Sequence, residues 1–334
     1  MAVRVAINGL GRIGRCVIRA LVETGRKDIE IVAVNGPAPI ETHIHLLKYD
    51  SVHGAFRGDV KAVGTDGIDV GRGVMKLTRE KDVSKLDWAG IDVVLECSGK
   101  FTKRADAALH LNRGAKKVLI SAPSPDADAT IVYDVNNSAL KPEHTVVSVG
   151  SCTTNGLAPV AQVLHNTVGI EYGFMTTIHS YTGDQNIVDG SHKDLRRARA
   201  AAMSMVPTST GAAKAIGLVL PELEGRLGGV AIRVPTPNVS LIDLTFTSVK
   251  DTNKEEINKA ITAAAQGSLK GVLAATDEPL VSIDYNHHPA SSIFDLLGTN
   301  VTGKRFCRVS AWYDNEWGFS NRMLDVTKLV AEGK

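Results

Sequence analysis

Cys152 lies in the stretch Gly150-Ser151-Cys152-Thr153-Thr154-Asn155. A β-rich run at 145–149 precedes it, and the spacing of Leu157, Val160, Ala161 and Leu164 behind it predicts a helix. A cysteine at a strand-to-helix junction sits beside unpaired backbone N–H groups and the positive end of the helix dipole. Both favour thiolate, the nucleophilic form of the side chain, and so predict a low-pKa thiol. The hydroxyls of Ser151, Thr153 and Thr154 suit a helix cap or an anion. A lone cysteine is more often a packing residue, so its neighbours matter. His179 closes a strand pattern at 174–179, where an imidazole can serve a thiol as base or can simply be structural. Arg196 and Arg197 lie in a basic loop and Arg233 in the strand-like run Ile232-Arg233-Val234. Guanidinium groups hold phosphate by paired hydrogen bonds. Thr210-Gly211 opens a predicted helix and offers an anion a hydroxyl and a backbone N–H.

The first half of the chain must supply the frame. Arg4-Val5-Ala6-Ile7-Asn8 reads as a buried strand and runs into Gly9-Leu10-Gly11-Arg12-Ile13-Gly14, followed by a helical pattern carrying Val17, Ala20 and Leu21. Strand, G-x-G-x-x-G and helix in that order form the fingerprint of a dinucleotide site. Gly9 serves the tight turn, Gly11 lets a pyrophosphate approach backbone, and Gly14 allows close helix–strand packing. A second strand, Ile29 to Val34, leads to Asn35-Gly36, where an acidic residue normally takes the ribose hydroxyls. A helix near 41–48, a Gly- and Asp-rich β segment at about 60–77, a helical stretch around 106–111 and buried strands at 93–97 and 117–121 complete the pattern. Alternating strands and helices predict an α/β, Rossmann-type doubly wound parallel sheet. Ligands bind beyond the carboxyl ends of such strands, which places Ser98 and Ser121 on the cofactor groove.

A chain of 334 residues suits about two domains. Its formal net charge of +2, with 22% charged residues, gives no reason to expect a nucleic acid or an anionic membrane as partner. The N-terminus enters a strand pattern without signal-peptide architecture, and no apolar run is long enough for a membrane span. Cys16, Cys97, Cys152 and Cys307 lack metal-ligand spacing, so no metal is expected; reduced thiols point to a cytoplasmic location.

Asn8–Gly14, Ser151–Asn155, His179–Gln185, Thr208–Ala213, Arg233–Ser240 and the ending Trp312–Arg322 together resemble phosphorylating glyceraldehyde-3-phosphate dehydrogenases of the bacterial and plastid-like type. The resemblance implies that Cys152 is the nucleophile and His179 its acid–base partner, forming a hemithioacetal and then a thioester that inorganic phosphate cleaves. It implies a substrate-phosphate site of Thr182, Arg233 and Arg197, and an inorganic-phosphate site of Ser151, Thr153, Thr210 and Gly211. Gly9, Gly11, Arg12, Ile13, Gly14, Asn35, Gly36, Ser98 and Ser121 would serve the cofactor, and Asn315 would orient the nicotinamide. By the same resemblance the nucleotide domain, 1–151, is completed by the C-terminal helix, 317–334. A catalytic α+β domain with a mostly antiparallel sheet spans 152–316 and includes a long loop, 181–206, at the subunit interface of a homotetramer. Three positions depart from the family: Gly36 for the usual acid, Gly156 for a common second cysteine, and Phe319 for a common tyrosine. Gly36 removes both a bond favouring NAD and a charge repelling NADP. Gly190-Ser191, in the long loop, resembles the small residue and serine of NADP-using plastid relatives. No arginine is evident beside Gly36, so use of both NAD and NADP is expected. Erythrose-4-phosphate dehydrogenase is the alternative enzyme, against which 208–213 argues. A non-catalytic dinucleotide-binding sensor or adhesion protein is the alternative of another class, against which the presence of both Cys152 and His179 argues.

Overall fold

The computed structural model describes residues 1–333 and divides into two compact units, Met1–Ser151 with the chain from Ser320 onward, and Cys152–Phe319. The division falls inside the last helix, Trp317–Glu332, three residues after the point expected from sequence.

The first unit carries a nine-stranded sheet among the described residues. Its central strand, Val3–Asn8, is buried on both faces from Val5 onward and pairs in parallel with Ile29–Asn35 on one side and Val93–Glu96 on the other. The strand order thus diverges at the end of Val3–Asn8, the switch point at which doubly wound sheets bind ligands. Register sets Asn8 against Asn35 and against Glu96, so three polar side chains meet at the carboxyl ends of three adjacent strands. Lys117–Ile120, Val146–Ser148 and Ala129–Thr130 extend one side in parallel. On the other side Val74–Thr78 is parallel, and the antiparallel strands Gly67–Asp69 and Lys61–Val63 finish the sheet. The helical stretch expected around 106–111 is one α-turn, Arg104–Ala107, continued as a tighter 3-10 segment, Ala108–Arg113. Gly114, at φ +102, reverses the chain there, a conformation that a residue with a Cβ rarely adopts.

The second unit is a seven-stranded, mostly antiparallel sheet with helices. Ser240–Ser248 shows why it forms: its residues alternate between buried and half-buried along the whole strand, the period-2 signature of a sheet with one covered face. Strands Ile170–Ser180 and Leu227–Val234 run in parallel, in a register that sets His179 beside Arg233. Ser240 pairs with Tyr313 across the antiparallel strands Ser240–Ser248 and Phe306–Tyr313. The helix Cys152–Val168 is buried along nearly its whole length, with Pro159 inside it. Gly156 lets this helix approach the sheet: a Cβ there would lie 3.1 Å from Ile242 and 3.3 Å from the Tyr313 ring. The loop at 181–206 has no helix or strand of its own before Val206–Ser209.

Candidate active site

Cys152 is the first residue of its helix. Its Sγ lies 3.5 Å from His179 Nε2. His179 is buried near the end of its strand, with Nδ1 2.7 Å from the Ser180 carbonyl oxygen. The Ser180 carbonyl only accepts and the Arg233 guanidinium only donates; the shorter contact, 2.7 Å against 3.0 Å, assigns the proton to Nδ1, and the Nε2 lone pair then faces the sulfur. Arg233, on the neighbouring strand, brings Nη1 to 3.0 Å from both His179 Nδ1 and the Ser180 oxygen. It also reaches the Thr182 hydroxyl at 3.4 Å. Tyr313 supports the pair from behind: its ring meets the imidazole edge-on at 5.9 Å, and its hydroxyl joins Thr153 at 2.9 Å and Thr177 at 2.8 Å.

The electrostatics correct one expectation from the sequence. Burial pushes the Cys152 thiol above its ordinary range, while Arg233, the Thr153 hydroxyl and the first N–H groups of the helix all pull it down. Burial outweighs them, so the resting side chain is a thiol and not the preformed thiolate that its place at the helix start suggested. Burial and then Arg233 drive His179 down to about 3, leaving a neutral ring. The resting site is therefore a thiol facing a neutral base.

Arg197, and not Arg196, belongs to this neighbourhood. Arg197 donates to the Thr208 hydroxyl at 3.0 Å and pairs with Asp184, and its charge acts on both His179 and Arg233. Arg196 is exposed and reaches only the Pro207 carbonyl. Asn315 is buried, with Oδ1 accepting from the Ser180 and Ser240 hydroxyls at 2.9 Å each, which fixes the orientation of its amide. Thr210 bonds Ala212 N at the start of the helix Ala212–Val219, with Gly211 exposed at its cap. Among the described residues no hydrogen bond ties Thr210 or Gly211 to the Cys152–His179 pair. The Thr153 hydroxyl is committed to Tyr313, and Ser151 directly precedes the nucleophile in the chain. Gly190 and Ser191 are exposed on the long loop, where Gly190 N bonds the Ala198 carbonyl.

The first unit holds a cavity of about 320 Å³ lined by Asn8, Gly9, Gly11, Asn35, Ser98 and the segment that follows Asn35. Gly9 has φ +106, and a Cβ there would strike the Ser98 backbone; a Cβ on Gly14 would strike the Gly9 carbonyl. By contrast, a Cβ on Gly11 would meet nothing within 4 Å. The helix Arg12–Glu23 has Gly11 as its cap, without a side-chain bond from that residue, and the positive end of its dipole suits an anion. These features fit a pyrophosphate-linked dinucleotide. Arg12 offers backbone rather than charge, because Asp50 holds its guanidinium at 2.5 Å and 3.1 Å; Ile13 follows in the same turn, half-buried.

A buried relay fixes the floor of this cavity, and sequence reasoning missed most of it. Trp88 donates to His110, which donates to Glu96. Glu96 also accepts from Asn8 at 2.6 Å and from both the N–H and hydroxyl of Ser98. Asn35 donates to Asn8 at 2.7 Å and accepts from Thr78 and Glu80 N. Ser121 bonds the Cys97 thiol, which burial pushes up to about 12. Gly36 is buried, and the His43 ring packs against it. Burial and, more weakly, the charges of Arg15 and Arg79 lower the proton affinity of that ring.

Comparison with known proteins agrees with both halves of this description. Residues 3–104 match a family model described as the glyceraldehyde 3-phosphate dehydrogenase NAD binding domain, and residues 151–315 match the C-terminal domain of the same family. The chain is 62% identical over 336 residues to a glyceraldehyde-3-phosphate dehydrogenase of Xanthobacter flavus, covering 100% of this chain and 99% of the relative. A relative of the same name from Cereibacter sphaeroides is 60% identical over 334 residues, with the same coverage. One from Geobacillus stearothermophilus is 53% identical, covering 99% of each chain.

Proposed function

Because the chain belongs to the glyceraldehyde-3-phosphate dehydrogenase family, we propose that it oxidises and phosphorylates glyceraldehyde 3-phosphate, using NAD or NADP with inorganic phosphate as co-substrate. The observation that carries this reading is the thiol of Cys152 3.5 Å from the free lone pair of a neutral, buried His179. As sulfur adds to the aldehyde carbon, Nε2 takes the thiol proton and the carbonyl electrons move to oxygen. The imidazolium then faces the new oxyanion and can return the proton to it, with the Cys152 backbone N–H as second donor. When bound, the nicotinamide supplies the hydride acceptor. His179 removes the hydroxyl proton as hydride leaves carbon, and a thioester remains on Cys152. Phosphate oxygen attacks that thioester, the sulfur leaves, and His179 reprotonates it.

Arg233 has two effects in this scheme. Its charge favours thiolate at Cys152 and disfavours imidazolium at His179. A substrate phosphate paired with Arg233 and Thr182 would offset that charge and make His179 a stronger base when substrate is in place. Arg197 adds a second cation, and Ser151, Thr210 and Gly211 suit the attacking phosphate. Ser180 and Ser240 hold Asn315 for the carboxamide of the nicotinamide ring. The absence of an acid at Gly36 supports use of both cofactors. The exposed Ile187, Val188, Leu195, Met203 and Met205 of the long loop support a homotetramer in which another copy covers them. A steady-state assay tests the whole reading: glyceraldehyde 3-phosphate with NAD or NADP, and with phosphate, arsenate or neither. Turnover that needs phosphate or arsenate is expected. Equal turnover without either contradicts it, and a kcat/KM more than about a hundredfold higher for NAD, some 2.7 kcal/mol, contradicts dual use.

A further inference from the structure

The space left by Gly36 is filled. An ideal Cβ on Gly36 would lie 2.8 Å from His43 Nε2 and 2.7 Å from His43 Cε1. A ring nitrogen therefore stands within the reach a carboxylate oxygen would have if residue 36 were acidic. His43 comes from the helix Ile40–Lys48, is 4% exposed, and lines the cavity beside Gly9, Gly11 and Asn35. Its bonding is incomplete: Nε2 donates one long bond of 3.3 Å to the Gly36 carbonyl, and among the described residues the buried Nδ1 has no partner. Buried polar atoms of a folded chain are rarely left so, and where they line a ligand cavity the ligand is the natural partner.

We propose that His43 takes the place of the acid absent at position 36 and reads the 2′ position of the adenosine ribose of the cofactor. Resting on the dual-cofactor reading above, this gives the selection of NAD or NADP a titratable element. In the neutral ring Nε2 donates to the Gly36 carbonyl, so Nδ1 holds the lone pair that accepts from a 2′-hydroxyl; an imidazolium donates from both nitrogens to a 2′-phosphate. Burial, and then Arg15 from the helix Arg12–Glu23 and Arg79 beyond the strand Val74–Thr78, lower the proton affinity of the free ring, against the bond to Gly36. Glu80 and Lys81 line the same cavity. A 2′-phosphate brings negative charge and raises that affinity, so binding of the phosphorylated ribose takes up a proton and strengthens as pH falls. Binding of the hydroxyl form does not. The sign follows from linkage: the ligand that raises the pKa binds tighter below the raised value.

Adenosine fragments separate this effect from any protonation at Cys152 and His179. Calorimetric titration of the full-length protein with adenosine 2′,5′-bisphosphate and adenosine 5′-monophosphate is to be compared at pH 6.5 and 8.0. The preference for the bisphosphate should fall by roughly three- to tenfold between those values, with proton uptake on binding, the scale of one titrating group. His43→Leu and His43→Gln should bind both fragments without that pH dependence. In the parent protein the His43 ring proton resonance should titrate at higher pH with the bisphosphate than with the monophosphate, a readout that needs no variant. A preference that persists unchanged in both variants, or a His43 midpoint that the bisphosphate leaves unmoved, overturns the proposal while dual cofactor use stands. If the parent binds neither NADP nor the bisphosphate at either pH, dual use fails and the proposal falls with it.

Discussion

Replacing Arg233 by methionine keeps the length of the side chain and removes its charge. Arg233 Nη1 is 3.0 Å from one nitrogen of His179, and the other nitrogen is 3.5 Å from the Cys152 sulfur. Across the ring the cation is no more than about 9 Å from the sulfur, and at an effective dielectric of about 20 a unit charge there contributes about 2 kcal/mol. That equals a little over one pH unit in the thiol, and solvent at the half-buried sulfur reduces it to on the order of one unit. The charge stabilises thiolate, so its removal moves the thiol midpoint further up. The assay is the pH dependence of iodoacetamide alkylation of Cys152 without substrate or cofactor, with peptide mapping to assign the label. The variant should need about one pH unit more alkali to reach half its limiting rate. His179, freed from the same cation, should titrate nearer its ordinary value of about 6.5. A midpoint that stays in place or falls would show that Arg233 does not act on the nucleophile and would refute the reasoning.

His179→Asn should slow hydride transfer by roughly 10²–10⁴-fold, the span of a positioned acid–base group, as read by single-turnover absorbance; a near-parental rate would make His179 structural. Iodoacetamide should label Cys152 before the others, because Cys16 and Cys307 are buried and burial holds the Cys97 thiol at about 12; equal labelling of all four contradicts this. Gly36→Ala drives a methyl group into the His43 ring and should lower stability by about 1–3 kcal/mol, measured by urea unfolding; an unchanged midpoint would mean that the ring moves aside at no cost.

Much of the first unit was legible because its signals are local. The glycines Gly9, Gly11 and Gly14 have distinct steric reasons, and the strand before them and the helix after them follow from period alone. Cys152 at a helix start was legible for the same reason. The protonation state of the thiol was not, since burial depends on the sheet packed behind it, and no sequence spacing reports that. His179 and Arg233 are 54 residues apart and meet only through the register of two parallel strands. The relay through Glu96, His110 and Trp88 was missed because each residue reads alone as an ordinary strand or turn residue, and only pairing in the sheet brings Glu96 to Asn8. Tyr313 lay inside a recognised motif, yet its hydroxyl bonds to Thr153 and Thr177 could not be read from it. Gly36 was read as an absence; the structure shows a place occupied by His43.

The central claim is that Cys152 carries the substrate as a thioester that phosphate cleaves. It is tested most directly by mixing enzyme, cofactor and glyceraldehyde 3-phosphate without phosphate, quenching in acid and mapping the adduct by mass spectrometry. The account predicts one burst of reduced cofactor per chain, with an acyl group on the peptide containing Cys152 that disappears when phosphate is added. Burst and continued turnover with no adduct on Cys152, or an adduct that phosphate leaves untouched, would contradict it.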